Sequence, residues 1–529
     1  MKPLPYRSER TRPALVQLLM ILVAALSFPA TYARAATDVV LRGVLHDTDN
    51  QTYVQMPFDV PAGATKLAVE LTYQGRDQGT IVLLDVHDPE RLRGSGSGGK
   101  LKVVIAEAFA TPSFLQGPIQ PGRWRLGLWV ANIRKGVTSP FEARIRITGE
   151  ADVDAITEGT VRSGPGWYRG DLHTHTGHSD ATCANPAGHP APCPLFLTLE
   201  AARAHGLDFI AITDHNATSQ YEEMAALAPY FDNLLLIPGR EITTREGHFN
   251  LIGATRFVDF GLGAPGVAGG RDMNAVLRDS AATHGLVSIN HPGIPTGEDC
   301  LGCGWSAPNT NFDLVDSVEI ANGGIAADFG GFPEGPLSGI RFWEAQLDQG
   351  RRITGVGGSD NHDAVDGSSK SPVGRQSPVG TPATVVFAEN LSQEAILKGI
   401  RAGRVFIDLQ NIPGRLLDVS ATSGTAKAVM GGALALPCGG AIEVDAHVVG
   451  LTGGRVELVI DGRSDGMNRD IQRADETIRL EVPDHRYRHW FRVDVRSPSG
   501  ARAIIGNPIY TTGLDGRDTR TTCPVRSAP

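Results

Sequence analysis

The chain has 529 residues, 41% of them hydrophobic, and a formal net charge of −9. Its length exceeds one ordinary domain and allows about two to four, while 63 glycines and 34 prolines favour turns and loops over long helical bundles. The acidic balance disfavours non-specific nucleic-acid binding, so no nucleic-acid partner is expected.

Residues 1–35 read as a secretory signal. Lys2, Arg7, Arg10 and Arg12 precede an apolar run over 14–28, and Ala33 and Ala35 supply a small-residue cleavage site. The run is short for a membrane span. The mature chain is therefore expected to begin near Ala36, after a cut at Ala35, and to be secreted or periplasmic with no membrane attachment. The segment carries five Lys/Arg and one Glu, a net of +4, so its removal takes the chain from −9 to −13. Six cysteines in an exported chain point to disulfides. Cys183 lies near Cys193 and Cys300 near Cys303, with their pairing left open, and a Cys438–Cys523 bridge would tie down the C-terminus. A structural zinc site built from Cys183, Cys193, Cys300 and Cys303 is the alternative.

Residues 36–150 alternate apolar and polar side chains over 66–73, 80–86, 123–130 and 141–147, between Pro/Gly turns and a Gly/Ser loop at 94–99. That period of two predicts a β-sandwich. Residues 151–410 change character. Short apolar strands at 207–213, 234–237, 286–289, 317–320, 353–356 and 383–387 alternate with helical stretches, which calls for parallel strands with crossover helices in a barrel or an open α/β sheet. His205 and His284 each precede a glycine at a helix end and read as capping residues. From 411 to 529 the period of two returns, at 441–449, 455–460 and 490–496, and predicts a second, immunoglobulin-like sandwich.

The chemistry is concentrated at strand ends of the middle region. His173 and His175 are two apart on a strand, so they face one side about 7 Å apart and suit one metal ion. Asp180 follows in the next loop. Downstream come Asp214 and His215, then Glu241, His248, His291, and finally Asp360 and His362, most of them closing or following an apolar strand. Strand ends of an α/β barrel share one face, so these groups are expected to converge. Six imidazoles with the three carboxylates Asp180, Glu241 and Asp360 exceed what a packed core holds. The mix suits zinc, manganese or iron.

These stretches resemble the polymerase-and-histidinol-phosphatase (PHP) superfamily, in its CehA/McbA-like branch of metal-dependent hydrolases. The carrying residues are Asp171, His173 and His175; Ser179 and Asp180; Asp214, His215 and Asn216; Glu241; His248 and Asn250; Asn290 and His291; and Asp360 with His362. The likeness covers roughly 165–410 and implies a distorted (β/α)7 barrel, flanked here by the two sandwiches, with two or three divalent ions (Zn, Mn or Fe). By it, His173, His175, Glu241 and Asp360 would hold one ion, and Glu241, His248 and His291 a second. Asp180, His215 and His362 would hold a third, with Asp180 standing where some relatives use a histidine. Asp214 would orient an imidazole rather than ligate, and Glu241, Asp360 and Asp214 form the implied catalytic set.

The implied reaction is hydrolysis. A water bridging two ions attacks phosphorus or a carbonyl carbon whose oxygen the ions polarise. The expected partner is a small, anionic ester substrate, a phosphate monoester or diester first. A carbamate or carboxylic ester is the alternative, and a non-catalytic, metal-stabilised binding module is a third reading. Neither a Ser-His-Asp order nor a Gly-x-Ser-x-Gly elbow is present. His178 and His189 read as exposed spectators. Arg240 and Arg245 would hold an anion or make surface ion pairs, residues 363–380 would form a lid or a surface loop, and Trp305 would wall the pocket or pack under a disulfide-tied loop.

Overall fold

A computed structural model describes residues 37–96, 99–149, 155–157, 159–264, 270–297, 302–328, 335–364, 376–436, 441–482 and 490–512. The expected signal at 1–35, Cys300, Cys438, Cys523 and residues 365–375 of the expected lid lie outside the described residues.

Eight strands come first: β1 (Thr37–His46), β2 (Thr52–Val60), β3 (Ala64–Tyr73), β4 (Ile81–His87), β5 (Leu92–Ser95), β6 (Lys102–Ala106), β7 (Gly122–Asn132) and β8 (Thr138–Gly149). They pair in two four-stranded sheets, ordered β1-β8-β3-β6 and β2-β7-β4-β5. Every second residue points inward, so Leu67, Val69 and Leu71 of β3 meet Leu126, Leu128 and Val130 of β7 in one core. This is the sandwich that the period of two predicts.

The central strands are β9 (Arg162–Asp171), β12 (Phe209–Ile212), β13 (Leu235–Thr244), β14 (Gly247–Ile252), β15 (Leu286–Ile289), β16 (Ser317–Asn322), β17 (Thr354–Gly358), β18 (Ala383–Leu391) and β19 (Val405–Asp408), with a small hairpin, β10 (Thr182–Ala184) and β11 (Pro190–Pro192), after β9. The helices are α1 (Leu195–Ala204), α2 (Gln220–Leu227), α3 (Met273–Ala281), α4 (Gly323–Asp328), α5 (Ile340–Leu347) and α6 (Gln393–Arg401). Local chemistry fixes their ends. Ser392 accepts from Ala395 N at the start of α6, which buries Ile396, Leu397 and Ile400 and ends on Lys398 and Arg401.

The strip runs β17-β16-β15-β14-β13-β12-β9-β18-β19. It curls until β17, at one end, meets β18 and β19 at the other. The Thr384 hydroxyl bonds both N and O of Gly357, at 2.8 and 2.7 Å. Beyond β17, Asn361 bridges Thr174, just beyond β9. The expected barrel is a distorted (β/α)7 one, and the described residues do not show a full set of alternating strands and helices. β13 and β14 make a tight antiparallel hairpin with Thr244 opposite Gly247; two turn residues cannot supply the crossover a parallel pair needs. β14 and β15 are antiparallel too, and the described residues between β15 and β16 hold only a 3-10 turn at Phe312–Leu314.

The last strands are β20 (Leu416–Ser423), β21 (Ala426–Val429), β22 (Ala433–Ala435), β23 (Ile442–Val449), β24 (Arg455–Ile460), β25 (Arg463–Asp470), β26 (Asp475–Val482), β27 (Trp490–Arg496), β28 (Arg502–Gly506) and β29 (Ile509–Thr512). The sheet β21-β20-β23-β26 packs on β28-β27-β24-β25 around Leu417, Val444, Val456 and Val493. The expectation of a self-contained immunoglobulin-like sandwich is corrected in one respect: β28 pairs with β19, so one layer continues the central strip. Trp490 also shares a core with Trp343 and Val318, and Arg492 reaches Glu344 at 2.7 Å. Among the described residues no helix is long and apolar enough to cross a membrane.

Candidate metal centre

The strand ends β9, β12, β13, β15 and β17, with the start of β14, deliver their polar residues to one pocket. Past the end of β12 the parallel pairing with β13 continues for a few residues: Glu241 N donates to Thr213 O and Asn216 N to Glu241 O, each at 2.9 Å, which sets His215 beside Glu241. Asp360 N donates to His173 O at 2.8 Å and His175 N to Asn361 O at 3.0 Å, joining the first and last ligand segments. His291 and Asp360 sit at φ +27° and +52°, a conformation costing about 1–3 kcal/mol each that persists only where surroundings enforce it.

All nine expected ligands lie in this pocket. Glu241 is the hub, its side chain 1% exposed. Its Oε2 lies 3.3 Å from His173 Nε2, 3.4 Å from His175 Nε2 and 3.0 Å from His215 Nδ1, and its Oε1 lies 3.3 Å from both His248 Nδ1 and His291 Nε2. Asp360 Oδ1 lies 3.3 and 3.1 Å from Nε2 of His173 and His175. Asp180, 57% exposed, stands 3.7 Å from His215 and 3.5 Å from His362 at the mouth. Three sets without a thiol bring ligand atoms within 4.8 Å of one another: His173, Glu241 and His291; His173, His175 and Asp360; and His175, Asp180, His215 and His362; a fourth joins His248 and His291 to Cys303, whose sulfur is engaged in a disulfide. These groupings differ from the expected ones in detail. His291 joins His173 rather than His248 alone, and His175 also belongs to the outer set.

Whether a cation fits is decided by the atoms left over. His173 Nε2 and Glu241 Oε2 are buried without a hydrogen-bond partner although they face each other. Buried polar atoms normally find one, and imidazole with carboxylate is the donor set of zinc, manganese and iron. The residues fit such an ion.

Electrostatics follow from crowding. Burial pushes the Glu241 and Asp360 carboxyls up, but the surrounding imidazoles outweigh it and hold both well below the usual range. Burial opposes charge on His173 and His291 too, yet the carboxylates around them raise both. His175 goes the other way, pushed down to about 3 by burial and by His362 and His215.

Asp214 is a correction. It orients no imidazole: its oxygens accept from Thr176 N and Oγ1, each at 2.8 Å, and from Ser179 Oγ at 2.7 Å. It holds the loop that follows His175, and burial raises its pKa. Arg240 faces away from the pocket, because it neighbours Glu241 on a strand; it donates to Arg256 O at 2.6 Å and lies 5.8 Å from the Phe257 ring. Arg245 is spent on Glu246 and the Leu262 and Gly263 carbonyls. His178 pairs with Ser219 and Glu223, and His205 caps α1. Trp305 packs on Gly247, beside His248. Cys183 and Cys193 form a disulfide and Cys303 is disulfide-bonded, so the four-cysteine zinc site does not form.

Two residues of the pocket escape the sequence reading. Glu319 of β16 is buried and takes His173 Nδ1, His291 N and Asn322 Nδ2, each at 3.0 Å. Asn322 also reaches Asp360 Oδ2 at 3.1 Å. The available signal was a carboxylate inside a strand whose neighbours are all core residues, where an unpaired charge is untenable.

No protein-family model matches the chain, and no curated protein does. Among solved structures it is similar to a two-domain protein from Bacteroides vulgatus containing a predicted PHP-like metal-dependent phosphoesterase, at 16% identity over 68% of this chain and 98% of that one, with a TM-score of 0.35. It is also similar to PsfC from Pseudomonas syringae, at 14% identity over 44% and 87% with a TM-score of 0.28. A candidate metal-dependent phosphoesterase from Bifidobacterium adolescentis matches at 15% identity over 44% and 94%, with a TM-score of 0.25. The functional reading rests on the pocket itself.

Proposed function

We propose that the chain is an exported metal-dependent hydrolase of the PHP type, acting first on phosphate esters of small, anionic substrates. The observation that carries this is the buried contact of His173 Nε2 with Glu241 Oε2, neither of which makes a hydrogen bond, inside three interlocking ligand sets. Divalent ions held there would polarise a phosphoryl or carbonyl oxygen and make water a nucleophile near neutral pH.

The protein's own residues do the rest. His173, Glu241 and His291 form a buried floor, and the partly exposed Asp180, His215 and His362 form the open side from which substrate would enter. His175 and Asp360 lie between and belong to the second set. The Asp214 clamp on Thr176 and Ser179 keeps the loop carrying Asp180 against the mouth.

The test is a side-by-side assay of bis-p-nitrophenyl phosphate, p-nitrophenyl phosphate and 1-naphthyl methylcarbamate with added manganese or zinc. Turnover of the phosphates supports the reading, and turnover of the carbamate alone replaces it with a carbamate hydrolase. Silence on all three by the metal-loaded protein would leave a metal-stabilised binding module.

A further inference from the structure

Glu319 sits where four ligand-bearing or ligand-contacting segments meet, and its bonds are all made to them. Its Oε1 lies 3.0 Å from His173 Nδ1, and its Oε2 accepts from the His291 backbone N and from Asn322 Nδ2. Asn322 passes the connection to Asp360 Oδ2. One carboxylate on β16 thus indexes the ends of β9, β15 and β17 to one another. Gly358 leaves the room for this: a Cβ there would lie 2.9 Å from Glu319 Oε1 and 2.5 Å from the His173 Cβ.

We propose that Glu319 is a positioning residue that holds His173 with its proton on Nδ1 and its Nε2 aimed between Glu241 and Asp360, and that metal affinity depends on it. The inference rests on the metal-centre reading. An ionised carboxylate only accepts, so the imidazole nitrogen facing Glu319 must carry the proton. The other nitrogen, 3.3 Å from each of Glu241 Oε2 and Asp360 Oδ1, is then the one free to ligate. Partners of this kind fix the orientation and raise the basicity of a ligating histidine. Gln cannot replace Glu here: with its amide oxygen turned to the His291 N–H and the Asn322 amide, its NH2 faces His173 Nδ1, which would then have to accept and leave the proton on Nε2.

The experiment compares wild type and Glu319→Gln after chelator treatment, titrated calorimetrically with manganese or zinc chloride alone. The expected result is a loss of about tenfold to a hundredfold in affinity, with the circular dichroism and melting of the ion-free variant kept. Equal affinity in the two proteins overturns the proposal. Should Glu319→Gln fail to fold, histidine 15N spectra of zinc-loaded wild type decide instead, with the His173 signal assigned from its loss in His173→Ala. A retained proton on Nδ1 of His173 supports the proposal, and a proton on Nε2 overturns it. Wild type that takes up neither metal defeats the metal-centre reading together with this one. Wild type that binds while the variant matches it defeats this one only.

Discussion

Gly358→Ala is the most informative single change, because it adds one carbon at the most crowded point of the pocket. The new Cβ would lie 2.5 Å from the His173 Cβ, 2.9 Å from Glu319 Oε1 and 3.1 Å from His173 N. Carbon atoms in contact sit about 3.5–4.0 Å apart, so the His173 segment must retreat by about 1 Å. Overpacking of this kind costs about 1–3 kcal/mol, which the several cores of this fold can absorb. Displacing a reacting group by about 1 Å can cost on the order of 10²-fold in rate. The expected result is a folded variant with bound metal reduced and phosphodiester turnover down by about 10²-fold. Gly297→Ala is the control, since a Cβ there meets nothing within 4 Å. Metal content is read by elemental analysis, folding by thermal melting and turnover with bis-p-nitrophenyl phosphate. Wild-type metal content and turnover in Gly358→Ala would refute the placement of His173 and Glu319 on which the centre depends.

Other changes probe the same pocket from different sides. His173→Ala removes a member of two ligand sets and should abolish turnover while the far-ultraviolet circular dichroism stays native; retained activity would defeat the assignment. Asp214→Asn weakens the bonds to Thr176 and Ser179 and should lower turnover more than it lowers stability, by about 1–3 kcal/mol at most, as judged by denaturant titration. Cys183→Ser should cost about 2–3 kcal/mol through loss of a bridge spanning 10 residues; non-reducing mass mapping that finds free thiols at Cys183 and Cys193 would refute the bridge. Acid should weaken metal binding. The carboxylates around His173 and His291 raise their affinity for protons in the ion-free chain, so an ion must compete with protons there, and metal affinity should rise with pH. Calorimetric enthalpies that do not change between buffers of different ionisation enthalpy would contradict that proton release.

Much of the pocket was legible because ligands declare themselves by local pattern. His173 and His175 stand two apart just past β9, on either side of Thr174, and Asp214–His215, His291 and Asp360–His362 each follow an apolar run. The hairpin was not legible, because 234–237 reads as a complete short strand while β13 extends to Thr244. The chain turns back there on Arg245 and Glu246 and enters β14 through Gly247 at φ +146°, a conformation that shows only once the structure is known. The continuity of the C-terminal layer was hidden for another reason. Pairing of β19 with β28 joins Phe406 to Gly506, and no local period carries information across such a separation.

What these buried carboxylates hold was invisible for a third reason, and it is chemical. Asp171, Asp214 and Glu319 are all buried, and each accepts from the backbone N–H of a segment that carries a ligand. Asp171 takes His173 N and Ser359 N, Asp214 takes Thr176 N, and Glu319 takes His291 N. A metal ligand must be a particular residue type, so it leaves a trace in the sequence. A backbone N–H belongs to every residue except proline, so the group these carboxylates recognise leaves none. Only the carboxylate end is visible, as a charge in an apolar strand or strand end. A buried, unexplained Asp or Glu next to a ligand motif therefore reads best as a clamp on the main chain, and these three make the pocket a set of strand ends fixed to one another before any ion is bound.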